Sequence, residues 1–203
     1  MENNGRKHRL LTKCHVLFLG SSVPTETSRG LDALQAPLMR CYPVDKATQI
    51  KGIDAWLSIY SSGILLQLVA DRGPSPPVIW FPIQNMYVVA ATKCVNYIDA
   101  QTNQRFDSRF MEINDPAAKK SSHPPLFSMI VRKTTGRKVL QCYSFLTQDE
   151  APAVAMVEAA HYAFEDKSGW AEGHPPMEVS VLLMRTILVL EFLDQIQPGL
   201  LCC

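Results

Sequence analysis

The sequence predicts an α+β fold, in which a bent antiparallel sheet of about seven strands is capped at one end by a C-terminal amphipathic helix. Apolar and polar residues alternate over short stretches, as half-buried strands require. Turn-forming sequences such as SSG, RGPSPP and TTG separate these stretches. After the last of them, apolar residues recur at helical spacing, which indicates a helix packed by one face on the strands.

The first two elements are predicted to be a strand at residues 14–20 and a helix from residue 31. The strand CHVLFLG ends at Gly20, which can adopt a positive φ. In LDALQAPLMRCY the apolar residues lie near helical spacing, but Pro37 lacks the N–H that a continuous helix needs there. We therefore expect a short or broken helix.

Four strands are predicted to follow. Ile53, Ala55, Leu57 and Ile59 alternate with more polar residues, and the SSG turn leads into ILLQLVAD. The stretch VIWFPIQNMYVVAAT predicts two strands separated by a bend at Pro82. Residues 96–124 are mostly polar, so we expect a long inserted loop with no more than one short element.

A hairpin and a helix complete the predicted domain. Two apolar runs flank the TTG turn within residues 126–145. Asp149 is the better N-cap for the helix, because it puts Pro152 at the third helical position, where its missing N–H is not needed. Apolar residues then form one stripe along the helix: Ala153, Met156, Val157, Ala160 and Phe164.

Composition and motifs limit the function. With 20 basic and 19 acidic residues, the chain has no net field to attract nucleic acid. The six cysteines lack metal-ligand spacing and predict reduced thiols, and the charged N-terminus lacks the apolar core of a secretory signal, so we expect a cytoplasmic protein. No nucleophile motif, phosphate-binding glycine loop or histidine pair is found, which argues against an enzyme, a cofactor or a bound metal.

Three segments resemble the phosphotyrosine-interaction (PTB) domain family, and together they span residues 14–166. CHVLFLGSSVPTETSRGLDAL is similar to the family's first strand, Leu-Gly turn and helix start. LFSMIVRKTTGRKVLQCYSF, followed by AVAMVEAAHYAFED, is similar to its last hairpin and closing helix. WFPIQNMYVVAA resembles the stretch that leads into its fifth strand, with Phe81 where histidine is usual.

The resemblance implies a pleckstrin-homology-like fold and a groove between the fifth strand and the closing helix. A peptide from a receptor's cytoplasmic tail or from a scaffold, commonly containing Asn-Pro-x-Tyr, would add to the edge of that strand. By matching position, the peptide-binding residues would be Met86, Tyr87, Val88, Val89, Ala90 and Ala91 on the strand, and Val157, Ala160, His161 and Phe164 on the helix.

One departure from the family concerns phosphate recognition. Members that require phosphotyrosine have an arginine about two residues before the cysteine of the late strand, where it can bind phosphate. Counting back from Cys142 puts Leu140 at that position, followed by Gln141. We therefore expect recognition that does not depend on phosphotyrosine, although Arg137 and Lys138 lie a few residues away.

The domain is predicted to span residues 13–168, after a basic, flexible leader (residues 1–12) and before a tail (residues 169–203) with an apolar, helical segment. Phe164 has a second interpretation, as a core residue of its own domain. A rival function is a phosphoinositide or membrane-surface site formed by basic residues such as Lys13 and Lys119. A third is a structural subunit held in an assembly through the tail, whose Cys202-Cys203 pair is also a candidate lipid acceptor.

Overall fold

The computed structural model describes residues 9–24, 30–45, 50–69, 78–133 and 140–166. Within these ranges the chain forms eight strands and three helices. In chain order they are β1 (Leu10–Ser22), α1 (Asp32–Cys41), β2 (Ile53–Tyr60), β3 (Gly63–Leu68), β4 (Val78–Pro82), β5 (Met86–Ile98), β6 (Arg105–Glu112), α2 (Pro116–Lys120), β7 (Pro125–Arg132), β8 (Leu140–Leu146) and α3 (Glu150–Glu165). The predicted α+β class is confirmed.

All described strands belong to one antiparallel sheet, in the order β4-β3-β2-β1-β8-β7-β5-β6. The long strand β1 joins its two halves, because the first part of β1 pairs with β2 and the last part pairs with β8. The register shifts between Phe18 and Gly20, and Gly20 has a φ of +130° that other residues rarely adopt. Strands β4 and β6 lie at the ends of the order, so the described sheet is open.

Each face of the sheet has its own apolar core. The first core contains side chains from both halves of the sheet together with Met156, Val157, Ala160 and Ala163 of α3. The second core lies on the opposite face of β5, β7 and β8 and is covered by α1. Successive residues of a strand therefore alternate between cores: Val89 lies in the first core, and Val88 and Ala90 lie in the second.

The predicted start of the closing helix is confirmed. Asp149 is the N-cap of α3 and has an extended backbone, and Pro152 is the third helical residue. The C=O of Asp149 accepts a hydrogen bond from the hydroxyl of Thr147 (2.8 Å). Ala153, Met156, Val157 and Ala160 are buried as predicted, while Phe164 is half-buried.

The first helix was predicted to be short or broken: α1 is short, with 10 residues, but it is not broken, because it continues through Pro37 to Cys41. Pro37 lies on the buried face of α1 beside Leu34 and Leu38, both of which are fully buried. Burial of this face against the sheet offsets the hydrogen bond that Pro37 cannot donate.

The prediction of a loop at residues 96–124 is wrong. Strand β5 runs to Ile98, and residues 105–112 form β6, which pairs with β5 from Thr92 to Ile98. The short helix α2 follows, capped by the side chain of Asp115. Because β6 is an edge strand, charged residues occupy several of its positions and hide the apolar pattern. The sheet thus has eight described strands where about seven were expected.

The folded region begins before residue 13. Strand β1 starts at Leu10, and Arg9 donates a hydrogen bond from Nη2 to the Tyr162 hydroxyl of α3 (2.6 Å). The TTG turn, Arg137, Lys138 and the tail from residue 167 lie outside the described residues. Among the helices that the structure describes, none is long and apolar enough to cross a membrane.

Candidate functional site

The neighbours of β5 change along its length. From Thr92 to Ile98 the strand lies between β6 and β7. The β6 side ends where the N–H of Ile113 donates to the C=O of Ala91 (3.1 Å). Before that point, and within the described part of the chain, Val88, Val89 and Ala90 have a strand partner only in β7. The first part of β5 is therefore an edge within the sheet.

Helix α3 lies beside this edge. The ammonium of Lys93 in β5 forms an ion pair with Glu150 at the start of α3 (Nζ–Oε1 3.1 Å). The helix also contacts the short 3-10 helix at Ile83–Asn85 that precedes β5. Phe164 lies about 21 Å further along α3 than Glu150. Met86 lies about 23 Å before Lys93 along β5. Helix and strand thus run side by side in opposite directions.

The ion pair also identifies which face of α3 points toward β5. Val157, His161 and Phe164 follow Glu150 at spacings that keep residues on one face of a helix. Three of the four helix residues predicted from the resemblance therefore lie on the β5 side. The fourth, Ala160, is fully buried in the first core.

The ten predicted residues differ in what they can present to a ligand. Seven have buried side chains that belong to the interior of the domain, namely Met86, Val88, Val89, Ala90, Val157, Ala160 and His161. The other three, Tyr87, Ala91 and Phe164, are half-buried. At the buried strand positions only the main chain can contact a ligand. Of the half-buried three, Ala91 and Phe164 pack against the first core, on the side of α3, whereas Tyr87 packs against the second core, on the opposite face.

His161 is the buried polar residue of this wall. Its side chain is 8% exposed, and Nε2 has no hydrogen-bond partner among the described residues. Burial lowers the pKa of His161, and the nearby carboxylate of Glu165 acts in the opposite direction. A neutral imidazole with an unpaired buried nitrogen costs free energy that a polar ligand atom can recover.

Sequence reasoning missed two charged residues around the edge. The guanidinium of Arg132, the last residue of β7, lies over the ring of Tyr87 at 4.9 Å from its centroid. Arg132 is the cross-strand partner of Leu140, the position where the family's arginine was expected. Lys93 is the other, and a lysine inside the apolar run VVAATKCV is the pattern that could have identified it.

A separate cleft of about 510 Å³ lies between the end of α1 and β6. Behind it, Ser108 donates to Oδ1 of Asn96 (2.7 Å), and Nδ2 of Asn96 donates to Nε2 of His123 (3.0 Å). Because Nε2 accepts this bond, the proton of neutral His123 lies on Nδ1 and is donated to the Tyr42 hydroxyl (2.8 Å). The polar atoms of this network satisfy one another.

No protein-family model matches the chain, and no curated protein matches it either. In the part of the chain that the structure describes, no three potential metal-ligating side chains lie close enough together to hold an ion. The residues that line the edge offer hydrogen-bonding main chain, an aromatic ring and apolar surface, which is chemistry for binding.

We expect removal of Glu150 and removal of Lys93 to change the free energy of unfolding by different amounts. Lys93 is 7% exposed, whereas the Glu150 side chain is 45% exposed. Glu150→Ala leaves a buried ammonium without its carboxylate and should lower the free energy of unfolding by about 1–3 kcal/mol. Lys93→Met keeps the volume, removes the buried charge and should change it by less than about 1 kcal/mol. Urea denaturation measures both.

The control for this pair is Glu165→Ala, an exposed carboxylate at the other end of α3. It should change the free energy of unfolding by no more than about 0.5 kcal/mol. A larger loss for Lys93→Met than for Glu150→Ala would contradict the assignment of the buried charge as the costly group.

The protein should lose stability as the pH falls below about 6.5, the usual histidine pKa. Burial, followed by the charges of Arg105 and Lys93, lowers the pKa of His123. Protonation would put a hydrogen on Nε2, which would then face the N–H donor of Asn96 instead of accepting its hydrogen bond. Because the folded pKa is depressed, this stability is complete above the unfolded pKa and is lost as the pH falls through the folded pKa.

Urea denaturation at pH 7.5, 6.5 and 5.5 checks this expectation. His123→Gln should lose less stability than wild type between the first and last pH. His161→Gln should remove a separate part of the loss, because the pKa of His161 is also lowered. A wild-type pH dependence in His123→Gln would show that this imidazole does not contribute.

Proposed function

We propose that the protein is an adaptor domain of the phosphotyrosine-interaction type that binds a short extended peptide between the first part of β5 and α3. The observation that carries the proposal is the change of neighbours along β5. The strand leaves β6 at Ala91 while α3 continues beside it toward Phe164. A strand edge next to a helix is the arrangement that β-augmentation uses.

The proposed fold is pleckstrin-homology-like. In support, β1 belongs to both halves of the sheet, and a helix that follows the last strand covers the core between them. The helix α1 lies between the first and second strands, as the family resemblance implies. These features support the proposed fold, to which β6 is an addition that was not expected.

The main chain of β5 supplies the proposed hydrogen bonds. The C=O of Ala91 points toward the β6 side, where Ile113 binds it. In an antiparallel strand the N–H and C=O of residues two apart point the same way, so those of Val89 also point there. A peptide strand laid beside Val89 would pair with these groups and alternate its side chains, with every second one facing α3.

Specificity is proposed to come from the helix. The half-buried ring of Phe164 would pack on an apolar peptide side chain near the start of β5. His161 lies one turn earlier on the same face. Its buried Nε2 would accept a hydrogen bond from a polar peptide group, or donate one to it. One short motif of this kind binds with micromolar strength, about −8 kcal/mol.

The proposed ligand is a cytoplasmic receptor tail or a scaffold peptide containing Asn-Pro-x-Tyr, and binding would not depend on phosphorylation. The guanidinium of Arg132, at the end of β7, lies over the Tyr87 ring. A guanidinium held by an aromatic ring gains less from a phosphate than a solvated one, because the ring contact must be given up. No chemical step is part of the proposal.

The structure gives less support to a phosphoinositide site. Arg9 contacts Tyr162 on α3, and the ammonium of Lys13 lies over the ring of Trp56 at 4.7 Å from its centroid. Lys119 and Lys120 are on α2, which contacts β5 and β6 instead. These four candidate basic residues are thus divided between two places, whereas a headgroup site needs them together. The third function depends on the tail, outside the described residues.

Phe164→Ala should weaken binding of a fluorescent Asn-Pro-x-Tyr peptide by at least about tenfold, because the ring supplies the apolar wall of the groove. The matched control is Tyr162→Ala, which removes a half-buried aromatic ring on the opposite side of α3 beside Arg9. It should bind like wild type. Fluorescence anisotropy gives both dissociation constants, and circular dichroism checks that the variants are folded.

The proposal fails if wild type and Phe164→Ala bind the peptide equally weakly. It also fails if Tyr162→Ala loses as much affinity as Phe164→Ala. Sedimentation with phosphoinositide vesicles tests the rival function, which predicts binding that falls steeply as salt is raised.

Plain and tyrosine-phosphorylated forms of the peptide should bind with affinities within about threefold of each other, a difference of less than 1 kcal/mol. Titration of both against wild type and Arg132→Ala is the test. The expectation is contradicted if wild type prefers the phosphorylated peptide by more than about tenfold. If that preference disappears in Arg132→Ala, Arg132 is the residue that binds the phosphate.

A further inference from the structure

Strand β4 forms one end of the described sheet and has unusual composition for an edge. It pairs with β3 from Gln67–Val78 to Gly63–Pro82, and with no other strand that the structure describes. Val78 is 56% exposed and Ile79 is 37% exposed. An edge strand offers N–H and C=O groups to any extended chain, so natural proteins usually protect it.

Charge protects the other end of the sheet but not this one. Strand β6, RFDSRFME, contains four charged residues, among which Arg105 and Arg109 form ion pairs with Asp45 and Asp32. Strands β3 and β4, GILLQL and VIWFP, contain none. The fold therefore discourages strand addition at β6 and permits it at β4.

Both faces of β4 are apolar. Phe81 lies in the first core, so Ile79, two residues earlier, points to the same side of the sheet. Val78 and Trp80 point to the outer side, where the rings of Trp80 and Tyr60 have centroids 6.0 Å apart. A strand added beside β4 would meet apolar side chains above and below its own backbone.

We propose that β4 pairs with β4 of a second copy of this chain, antiparallel and across a two-fold axis. A charged strand added there would have its charges desolvated among apolar neighbours, so the complementary strand must be uncharged and apolar on both faces. β4 itself meets this requirement, and β6 of a second copy does not. Because the two-fold pairing uses the same patch on both chains, it closes at a dimer.

The dimer would use a different strand edge from the proposed groove. In the order of the sheet β3, β2, β1, β8 and β7 lie between β4 and β5, although only Ile83–Asn85 joins these two strands in the chain. Two copies joined at β4 would carry two grooves, so a ligand with two motifs would bind more tightly than either motif alone. Dimerisation does not depend on the peptide, and each can fail without the other.

Sedimentation equilibrium of the full chain over about 1–200 µM, the range in which weak dimers dissociate, tests the proposal. Wild type should rise from 22.7 kDa toward twice that mass and no further. Val78→Lys, which adds a charge to the edge at an exposed position, should raise the dimer dissociation constant at least about tenfold. Hydrogen exchange should show β4 amides that become more protected as wild-type concentration rises.

The matched control is Ile98→Lys, because Ile98 is also 56% exposed but ends β5 beside β6. It should dimerise like wild type. The proposal is overturned by a wild type that stays monomeric, by assemblies larger than a dimer, or by equal effects of the two lysines. It is also overturned if Val78→Lys associates like wild type, which would place the contact elsewhere, including the tail.

Discussion

Packing of α3 on the first core is the interaction on which the rest of the structure depends. The helix contacts β1, β2 and β3 in one half of the sheet and β5 and β7 in the other. An open sheet leaves an apolar face that water would reach, and a single helix across both halves removes it. The side chains of Met156, Val157, Ala160 and Ala163 share this core with strands from both halves.

The three places where strand pairing ends are treated differently. β6 has charges along its edge, the first part of β5 lies beside α3, and β4 is uncharged and apolar. An exposed edge binds extended chains through the main chain whatever their sequence, so neighbouring side chains decide which chains are accepted. In the two proposals, charge prevents strand addition at β6, α3 selects the peptide that binds at β5, and the apolar β4 pairs with a second β4. The proposed peptide groove and the proposed dimer are two uses of the same property.

Local patterns predicted some elements well and others poorly. The N-cap at Asp149 could be predicted because it places Pro152 in the first turn, where no backbone N–H is needed as a donor. This rule involves only neighbouring residues of one helix. The continuity of α1 through Pro37 depends on burial of the helix against a sheet formed by distant residues. Rules based on neighbouring residues do not include the free energy of this burial. β6 was missed because charged residues occupy several of its positions, so that the alternation between exposed residues and the buried Ser108 and Phe110 is hard to recognise in the sequence. For the candidate site, the family resemblance named a strand and a helix, and Lys93 stands out in the sequence only as a lysine within an apolar run, whereas the position of Arg132 over Tyr87 is visible only in the tertiary structure.

The sequence by itself determined the α+β class, the order of most strands, and the apolar stripe that makes α3 cover the sheet, because these depend on the period of apolar residues along the chain. Only the tertiary structure decided where β5 loses β6, which face of α3 lies toward β5, and that seven of the ten expected binding side chains are buried. These features arise where segments far apart in the chain meet, as Lys93 does with Glu150 and Arg132 with Tyr87. Side-chain periodicity carries no information about such meetings, since it describes each element alone.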